Sequence, residues 1–369
     1  MSPRGAFVLP SRPEPTGRND PTGRRTVGEN TFAKKRLPNV IVATAPGRCG
    51  ILGNPTDMYG GSVLSCSLQE RARCEVRPAD ALIVEADNGE RQEITSAADF
   101  EPRGDRLDLA KAVLKGLDVT PGTHRFHLRT GTEIPMQAGL AGSTALVAAV
   151  FGAVTAHLGQ KRHRHATAEA IRRIEYEIMN VVCGFQDQYM TVFGGLNYLD
   201  FRDKGSHLKP DEQPLATVEP LAEVVPELPM VLAHTGVKHH SGAAHKPVRQ
   251  RWLEGDPVVR ELYDVSVPRL ARNNKAALLA GDWETIANAM NQNQKVARDL
   301  GASGEAVDRL VDVALGSGAI GAKLAGAGQG GTILALTFDP ERTIQALKDA
   351  GAGRILVPRP GPGLTVTQE

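Results

Sequence analysis

The 369-residue sequence has little of what marks several classes of protein. Its four cysteines, Cys49, Cys66, Cys74 and Cys183, form no C-x-x-C pair, so we expect free thiols in a reducing compartment rather than disulfides or a zinc site. Aromatic residues make up only 4% and the net charge is +1, which argues against a nucleic-acid partner. No apolar run reaches the roughly 18 residues that a membrane span needs. We therefore expect a cytoplasmic protein that binds neither nucleic acid nor membrane.

The first 36 residues differ in composition from the rest of the chain. They contain five prolines and several arginines, and they lack the apolar stretch of a signal peptide. This composition predicts a disordered, weakly basic tail over residues 1–36, with contact to a partner or a phosphate-rich surface as the alternative.

Strand and helix patterns alternate through both halves of the remaining sequence. Strands are predicted at 39–45, 62–68, 72–77, 123–130, 196–201, 230–234, 320–324, 332–336 and near 355. Helices are predicted at 143–158, from 167 onward, and at 258–280, 282–299, 304–316 and 340–350. The charged, proline-rich stretch 206–228 predicts a linker. The sequence thus predicts an α+β fold of two domains, 37–205 and 229–369, which meet at a cleft.

The most informative segment is Ile134–Leu146, a loop of small residues that leads into an alanine-rich helix. A helix start carries free N–H groups and a partial positive charge, so it can bind phosphate. Gly139 and Gly142 let an anion approach the backbone closely, while Ser143 and Thr144 supply hydroxyls suited to an N-cap or a magnesium ligand. No lysine follows the glycines, so this is not a Walker A loop. The segment predicts a phosphate-binding loop, with a simple helix cap as the alternative.

Two more glycine-rich segments, 45–61 and 323–331, lie on either side of this loop in the sequence. In this order the three segments resemble the motifs of the GHMP kinase superfamily, named for galactokinase, homoserine kinase, mevalonate kinase and phosphomevalonate kinase. The matching positions are Pro46, Gly47, Arg48, Gly53, Asp57, Gly60 and Gly61 in the first motif, Pro135, Gly139, Leu140 and Ser143 in the second, and Lys323 to Gly331 in the third.

The sequence departs from these motifs at a few positions. Ile51 stands at the usual leucine position, Gly142 replaces the first serine of the second motif, and Ala325 stands where some members carry a hydroxyl. The resemblance implies a ribosomal-S5-like N-terminal domain and a ferredoxin-like C-terminal domain, with ATP bound between them. It also implies that the phosphates of ATP contact Pro135, Gly139, Leu140, Ala141, Gly142, Ser143 and Thr144.

An acidic residue, Asp187, lies just past a predicted helix in an otherwise uncharged run between glycines, Gly184–Gly195. Such a carboxylate could accept a proton from a substrate hydroxyl, or it could cap a helix or turn. The resemblance to galactokinases and sugar 1-kinases implies the catalytic role for Asp187. Arg48 is then expected to neutralise charge near the transferred phosphoryl group or to hold Asp187 ionised, a structural ion pair being the alternative.

The resemblance implies that Mg²⁺ is bound by Glu175, twelve residues before Asp187, and by Ser143. Thr144-Ala145 stands where the second motif usually has a single alanine, and Thr144 replaces Ser143 as the ligand if this extra residue shifts the register. One carboxylate with hydroxyl, water and phosphate oxygens suits Mg²⁺. Glu177 lies only two residues from Glu175, and helical phase does not separate the two.

A narrower resemblance to glucuronokinases covers 48–61, 194–201 and 241–256. It implies ATP-dependent phosphorylation of the anomeric hydroxyl of a uronic acid, to give the sugar 1-phosphate. Asn54 replaces a glutamate that is usual in galactokinases, which counts against galactose. Substrate contacts are expected from Asp57, Tyr59, Gly326, Ala327, Gly328 and Arg251. A cation for the carboxylate is expected among Lys238, His239, His240, Arg249 and Arg251, unless these form a solvated surface.

Three alternatives to a uronate kinase stay open on the sequence alone. The G-F-Q-D-Q-Y segment around Asp187 also resembles heptose kinases, so a heptose or heptose phosphate is a second candidate substrate. A sugar-sensing regulator without catalysis is a third reading, although Ser143, Glu175 and Asp187 are all present. Mevalonate-type phosphorylation or diphosphomevalonate decarboxylation is a fourth. The sequence is compatible with a homodimer.

Overall fold

The computed structural model describes residues 40–237, 241–326, 328 and 330–369. The predicted tail 1–36 lies outside the described residues. The strands are β1 (Ile41–Leu52), β2 (Ser62–Pro78), β3 (Leu82–Ala86), β4 (Arg91–Glu93), β5 (Phe126–Thr132), β6 (Leu196–Asp200), β7 (Thr217–Pro220), β8 (Met230–His234), β9 (Gly321–Leu324), β10 (Thr332–Leu336), β11 (Ile355–Leu356) and β12 (Thr365–Gln368).

The α-helices follow the same chain order. They are α1 (Asp108–Gly116), α2 (Gly142–His157), α3 (Arg164–Arg173), α4 (Gln186–Phe193), α5 (Ser241–Leu253), α6 (Pro257–Arg260), α7 (Val267–Ala280), α8 (Trp283–Asp299), α9 (Glu305–Gly316) and α10 (Pro340–Asp349). Two π-helical turns continue helices: Ile174–Ile178 follows α3, and Glu261–Ser266 joins α6 to α7. Among the helices of the described residues, none combines the length and apolar composition of a membrane-crossing segment.

The larger sheet is built around the long strand β2. Its strand order is β12-β1-β2-β5-β3-β4, and β6, flanked by β7, also pairs with β2. All of these pairings are antiparallel except β3 with β5. The alanine-rich helix α2 packs against β1 and β2. It is buried over most of its circumference, which explains why its sequence has no polar face.

The smaller sheet has the antiparallel order β11-β8-β10-β9. Strands β8 and β10 are largely apolar, and helices α8, α9 and α10 pack against the sheet. Val231, Ile333 and Leu347 belong to this buried cluster. Burial on both faces accounts for the absence of polar alternation in β8 and β10.

The α+β prediction is confirmed, with corrections to individual elements. The two strands predicted at 62–68 and 72–77 are one strand, β2, because pairing with β1 continues at Arg71 on one side of a register irregularity and at Ser67 on the other. The predicted linker 206–228 contains β7, which pairs with β6. The end of the chain, predicted within the second domain, instead returns as β12 to the edge of β1. The remaining domain boundaries stay a prediction.

Candidate active site

The three glycine-rich segments converge on the second half of β1. This strand has register irregularities between Pro46 and Arg48 and between Gly50 and Leu52, which free backbone groups for other partners. The N–H of Arg48 donates to the carbonyl of Leu140, and the N–H of Gly50 donates to that of Ala325, each over 3.0 Å. The fold therefore brings together three segments that are far apart in sequence.

Close backbone approach explains why two of these positions are glycine. A Cβ atom on Gly326 would lie 2.4 Å from the carbonyl oxygen of Gly139, and one on Gly47 would lie 2.8 Å from that of Leu140. The hydroxyl of Thr332 also donates to the carbonyl of Ala138 over 2.8 Å. The third segment thus lies directly against the loop before α2 and supports its shape.

A cleft of about 340 Å³ opens at this junction. Its lining includes the loop 136–144 and Gly326. An apolar part of the lining consists of Leu109, Met136, Met179, Val181 and Val182. The polar part contains Arg48, Asp57, Glu175, Asp187 and Gln188. A lining that combines apolar side chains, charged side chains and a helix start suits a ligand with both a flat ring and phosphates.

The start of α2 contributes backbone donors to this cleft. Gln137, Gly139 and Ala141 all have positive φ, so the loop turns sharply before the helix begins. Ala141 is the N-cap and supplies no side-chain cap, which leaves the first N–H groups of the helix for another acceptor. Ser143 is exposed and lines the cleft. Of the predicted phosphate-binding residues, 139–144 line the cleft, whereas Pro135 does not.

The predicted metal-binding carboxylate, Glu175, is buried beside α2. The hydroxyl of Thr144 donates to its Oε1 over 2.7 Å, and the amide of Gln188 donates to its Oε2. Burial raises the pKa of Glu175 to about 7, against the lowering effect of these two hydrogen bonds. The hydroxyl that faces Glu175 is therefore that of Thr144, the alternative to Ser143.

The π-helical turn after α3 separates the two neighbouring acidic residues. It places Glu175 at 3% exposure, whereas Glu177 is exposed and pairs with Arg173 over 3.8 Å. Such turns change the direction of side chains within a helix. Helical periodicity in the sequence did not decide which of the two glutamates faces the cleft. The structure shows that Glu175 does, and Glu177 faces solvent.

Asp187 and Arg48 form an ion pair at the polar end of the cleft. Nε and Nη2 of Arg48 lie 2.7 Å and 2.6 Å from Oδ1 of Asp187, and Nη1 donates to the carbonyl of Gly139 over 2.6 Å. Arg48 is buried, while the Asp187 side chain keeps 31% exposure. Arg48 therefore links the carboxylate to the loop before α2. Asp187 follows the helical segment that ends at Ile178, and it lies in the first turn of α4, a helix that the sequence pattern does not predict.

Asp57, from the first glycine-rich segment, lies against the N-terminal start of α4. Its Oδ2 accepts hydrogen bonds from the N–H groups of Phe185 and Gln186 over 2.8 Å and 3.0 Å. Burial raises the pKa of Asp57 to about 6, although both hydrogen bonds act to lower it. A Cβ on Gly184 would lie 2.0 Å from the same oxygen, so glycine is required there. Asp57 both lines the cleft and fixes the start of α4.

Several predicted substrate residues lie away from the cleft. Tyr59 packs its ring against Trp252 and Tyr263, with ring centroids 4.8 Å and 5.3 Å away. Arg251 forms an ion pair with Asp256 over 2.8 Å. A Cβ on Gly328 would lie 1.8 Å from the carbonyl oxygen of Ala302, so this glycine serves a close loop contact. Predictions for Lys238, His239, His240 and Ala327 lie outside the described residues.

Sequence reasoning missed other residues of the cleft. Gln188 is 1% exposed and contacts Glu175, and Cys183 lies in the lining beside Gly184. Gln188 is the last residue of the G-F-Q-D-Q segment, so the sequence identifies the amide but does not show that it contacts Glu175. The apolar part of the lining has no motif, because Leu109 and Met136 come from unrelated segments.

The donor set of the cleft fits Mg²⁺ bound together with a phosphorylated ligand. Glu175 supplies one carboxylate, and Thr144 and Ser143 place hydroxyls at the start of α2. Mg²⁺ in nucleotide sites commonly keeps waters and phosphate oxygens and needs only one or two carboxylates. Within the described residues, no group of three or more His, Cys, Asp and Glu side chains is arranged to hold a metal.

Comparison with protein families gives matches in three parts of the chain. Residues 108–195 match the N-terminal domain of GHMP kinases, and residues 274–353 match the GHMP kinase C-terminal domain. Residues 29–78 match the galactokinase galactose-binding signature. The three glycine-rich segments fall in or beside these matches.

Several of the similar proteins are sugar kinases, and a mevalonate kinase is also among them. Glucuronokinase 1 of Arabidopsis thaliana is 29% identical over 276 residues, which cover 68% of this chain and 72% of the relative. The D-glycero-alpha-D-manno-heptose 7-phosphate kinase of Campylobacter jejuni is 25% identical, covering 84% and 92%. The structure of Lactococcus lactis galactokinase complexed with galactose superposes with a TM-score of 0.71 at 19% identity, covering 88% and 95%.

Proposed function

The chain belongs to the GHMP kinase superfamily and is an ATP-dependent sugar kinase, and we propose that it phosphorylates the anomeric hydroxyl of a free uronic acid. The observation that carries this proposal is the placement of Asp187 in one cleft with the start of α2. A proton acceptor and an anion-binding helix start are the two parts that phosphoryl transfer to a hydroxyl needs.

In the proposed reaction the anomeric oxygen attacks the γ-phosphorus of ATP. The bond from that phosphorus to the β,γ-bridging oxygen breaks and ADP leaves, while the hydroxyl proton passes to Asp187 and then to solvent. Arg48 orients this carboxylate through the contacts of Nε and Nη2. Because Arg48 also binds the carbonyl of Gly139, it keeps the acceptor and the phosphate loop in a fixed relation.

The residues 139–144 would hold the phosphates through the N–H groups at the start of α2. GHMP kinases generally use ATP with Mg²⁺, which when bound neutralises phosphate charge. We propose Glu175 as its carboxylate ligand, with Thr144 or Ser143 as the hydroxyl ligand. The hydrogen bond between Thr144 and Glu175 favours Thr144 for this role. The apolar lining around Met136 and Val182 is suited to the base of the nucleotide.

The uronic acid is favoured by the similarity to glucuronokinase. Asp57 is the candidate for binding sugar hydroxyls, because only one of its two carboxylate oxygens, Oδ2, has hydrogen-bond partners among the described residues. Neither described arginine of the basic group expected to bind the substrate carboxylate lines the cleft: Arg251 is paired with Asp256, and Arg249 lies near Tyr59. The case for a uronic acid therefore depends on the similarity to glucuronokinase.

A heptose or heptose phosphate is the second candidate substrate. The observation that favours it is the similarity to a heptose 7-phosphate kinase over 84% of this chain, a larger share than the glucuronokinase match covers. A phosphate and a carboxylate both attract guanidinium groups, so the same basic residues would suit either substrate.

The test is ADP release from ATP with Mg²⁺ against glucuronate, galacturonate, galactose, mannose and heptose 7-phosphate. We expect turnover with a uronate, and phosphorus NMR of the product should place the phosphate on the anomeric carbon. Asp187→Ala should abolish turnover, whereas Asp299→Ala, an exposed carboxylate paired with Lys295, should not. Turnover with heptose 7-phosphate alone would replace the uronate proposal. ATP binding without turnover of any sugar would favour a sugar-sensing regulator.

A further inference from the structure

A buried amide, that of Gln188, lies in the lining of the cleft beside Glu175. Gln188 is in α4, directly after Asp187, and it is 1% exposed. Its Nε2 donates to Oε2 of Glu175, while the Thr144 hydroxyl donates to Oε1 of the same carboxylate. Glu175 is therefore fixed from two sides, by α2 and by α4.

The other end of this amide has no partner. Oε1 of Gln188 is buried and accepts no hydrogen bond from the described residues. The amide is oriented by its neighbour, because exchanging the two ends would set the oxygen against the Glu175 carboxylate. A buried acceptor without a donor costs roughly 1–3 kcal/mol, and such groups are few in native proteins. A donor from a bound ligand shell would satisfy this oxygen.

Helix α4 directs two neighbouring side chains to different partners. Successive residues of a helix point about 100° apart. Asp187 accordingly contacts Arg48, whereas Gln188 contacts Glu175. One short helix, capped by Asp57, therefore fixes both the proposed proton acceptor and the proposed metal ligand.

We propose that Gln188 is a positioning residue for Mg²⁺: it orients Glu175 through Nε2 and accepts a hydrogen bond from a metal-bound water through Oε1. The inference rests on the proposed function, in which Glu175 is the carboxylate ligand. Mg²⁺ retains several waters in nucleotide sites, so donors are available beside the carboxylate. Partners of metal ligands commonly change metal affinity by about 10–100-fold when they are removed.

The test measures ADP binding to the full chain by calorimetry, with Mg²⁺ and with EDTA. In Gln188→Leu we expect the gain in ADP affinity on adding Mg²⁺ to shrink at least about tenfold, with metal-free ADP binding unchanged. The matched control is Gln186→Leu, a buried glutamine of the same helix whose amide instead donates to Ser65 over 2.9 Å. It should keep the full Mg²⁺ effect. If the leucine variant does not fold, Gln188→Met retains the unbranched shape without the amide.

Two results would overturn the proposal. One is an undiminished Mg²⁺ effect in the Gln188 variants, and the other is an equal loss of ADP binding with and without Mg²⁺, which would indicate a general defect of the cleft. A parallel Glu175→Gln variant separates this failure from failure of the proposed function. If Glu175→Gln removes the Mg²⁺ effect and the Gln188 variants do not, only the positioning role is wrong. If Glu175→Gln also leaves it intact, the proposed metal site itself is wrong.

Discussion

At the scale of single residues, burial rather than sequence position decides what a carboxylate can do. Glu175 and Asp57 are both buried, and burial raises the pKa of each. Asp187 differs because a guanidinium contacts it and its side chain keeps partial exposure. An ion-paired carboxylate that keeps partial exposure is suited to accept a proton from a substrate hydroxyl, whereas the two buried carboxyl groups are suited to binding and positioning roles.

The raised pKa of Asp57 predicts a definite pH dependence of stability. Its folded pKa of about 6 lies above the ordinary value of 3.8, so the folded state binds the proton more tightly. Stability from this residue is complete below about pH 4 and is lost as pH rises through about 6, by an amount of about 3 kcal/mol. Asp57→Asn does not titrate, so its free energy of unfolding relative to the native chain should rise over this range.

The measurement is denaturant unfolding of both proteins between about pH 4 and pH 7, compared as a difference so that other titrating groups cancel. A difference that stays constant with pH would contradict the prediction. If the free energy of unfolding of Asp57→Asn minus that of the native chain falls with rising pH, the two backbone hydrogen bonds outweigh burial and Asp57 has a lowered pKa.

At the scale of secondary-structure elements, the site depends on loops whose backbones are in direct contact. The third glycine-rich segment supports the phosphate loop through Gly326, whose missing Cβ allows contact with Gly139. Helix α4 begins at the residues whose backbone N–H groups donate hydrogen bonds to Asp57. The glycine-rich segments therefore supply backbone shape, whereas the two cleft carboxylates Glu175 and Asp187 come from helical segments outside them.

Gly326→Ala should disturb the site without unfolding the chain. Its Cβ would lie 2.4 Å from a backbone oxygen, so the loop before α2 must shift. We expect calorimetric ADP affinity to fall about tenfold or more, with a modest loss of stability of about 1–3 kcal/mol. The control is Gly316→Ala, at the end of α9, where a Cβ meets nothing within 4 Å. Equal ADP binding by the two variants would contradict the supporting role of Gly326.

At the scale of the whole molecule, the last residues of the chain complete the first sheet. Strand β12 pairs with β1, and Arg71 of β2 fixes the preceding turn. Its guanidinium donates to the carbonyls of Pro362 and Gly363 over 2.7 Å and 2.6 Å, and also to Thr44. A Cβ on Gly363 would lie 2.2 Å from the carbonyl oxygen of Val192 in α4. The chain end thus lies against the helix that carries Asp187.

Arg71→Met should therefore destabilise the protein. Removing the guanidinium leaves several carbonyl groups without a donor, and we expect a loss of about 1–3 kcal/mol in the free energy of unfolding. The matched control is Arg73→Met, two residues along the same strand, which loses only a surface ion pair with Glu75 and should change stability by about 0.5 kcal/mol or less. Similar melting temperatures for the two variants would contradict the anchoring role of Arg71.

The sequence predicted the family, the α+β fold and the order of the motifs, and these predictions are confirmed. It predicted β8 and β10 to the residue, because each is a largely apolar run of only five residues, a length typical of a buried strand and too short for most helices. It failed for α4, whose eight residues carry no helical pattern, since its start is set by the distant Asp57. The roles of Asp187, Glu175 and the loop 139–144 remain predictions that the proposed experiments address.

The sequence alone located the three glycine-rich segments and the loop into an alanine-rich helix, because these are local properties of the chain. Only the tertiary structure decided which side chains meet. Thr144 rather than Ser143 reaches Glu175, Glu175 rather than Glu177 is buried, and Gln188 lies against it. Tyr59 packs against Trp252 and Arg251 pairs with Asp256, both away from the cleft. The physical reason is that the side-chain contacts of the cleft join residues from 13 to 139 positions apart, and such contacts are set by packing, not by local propensity.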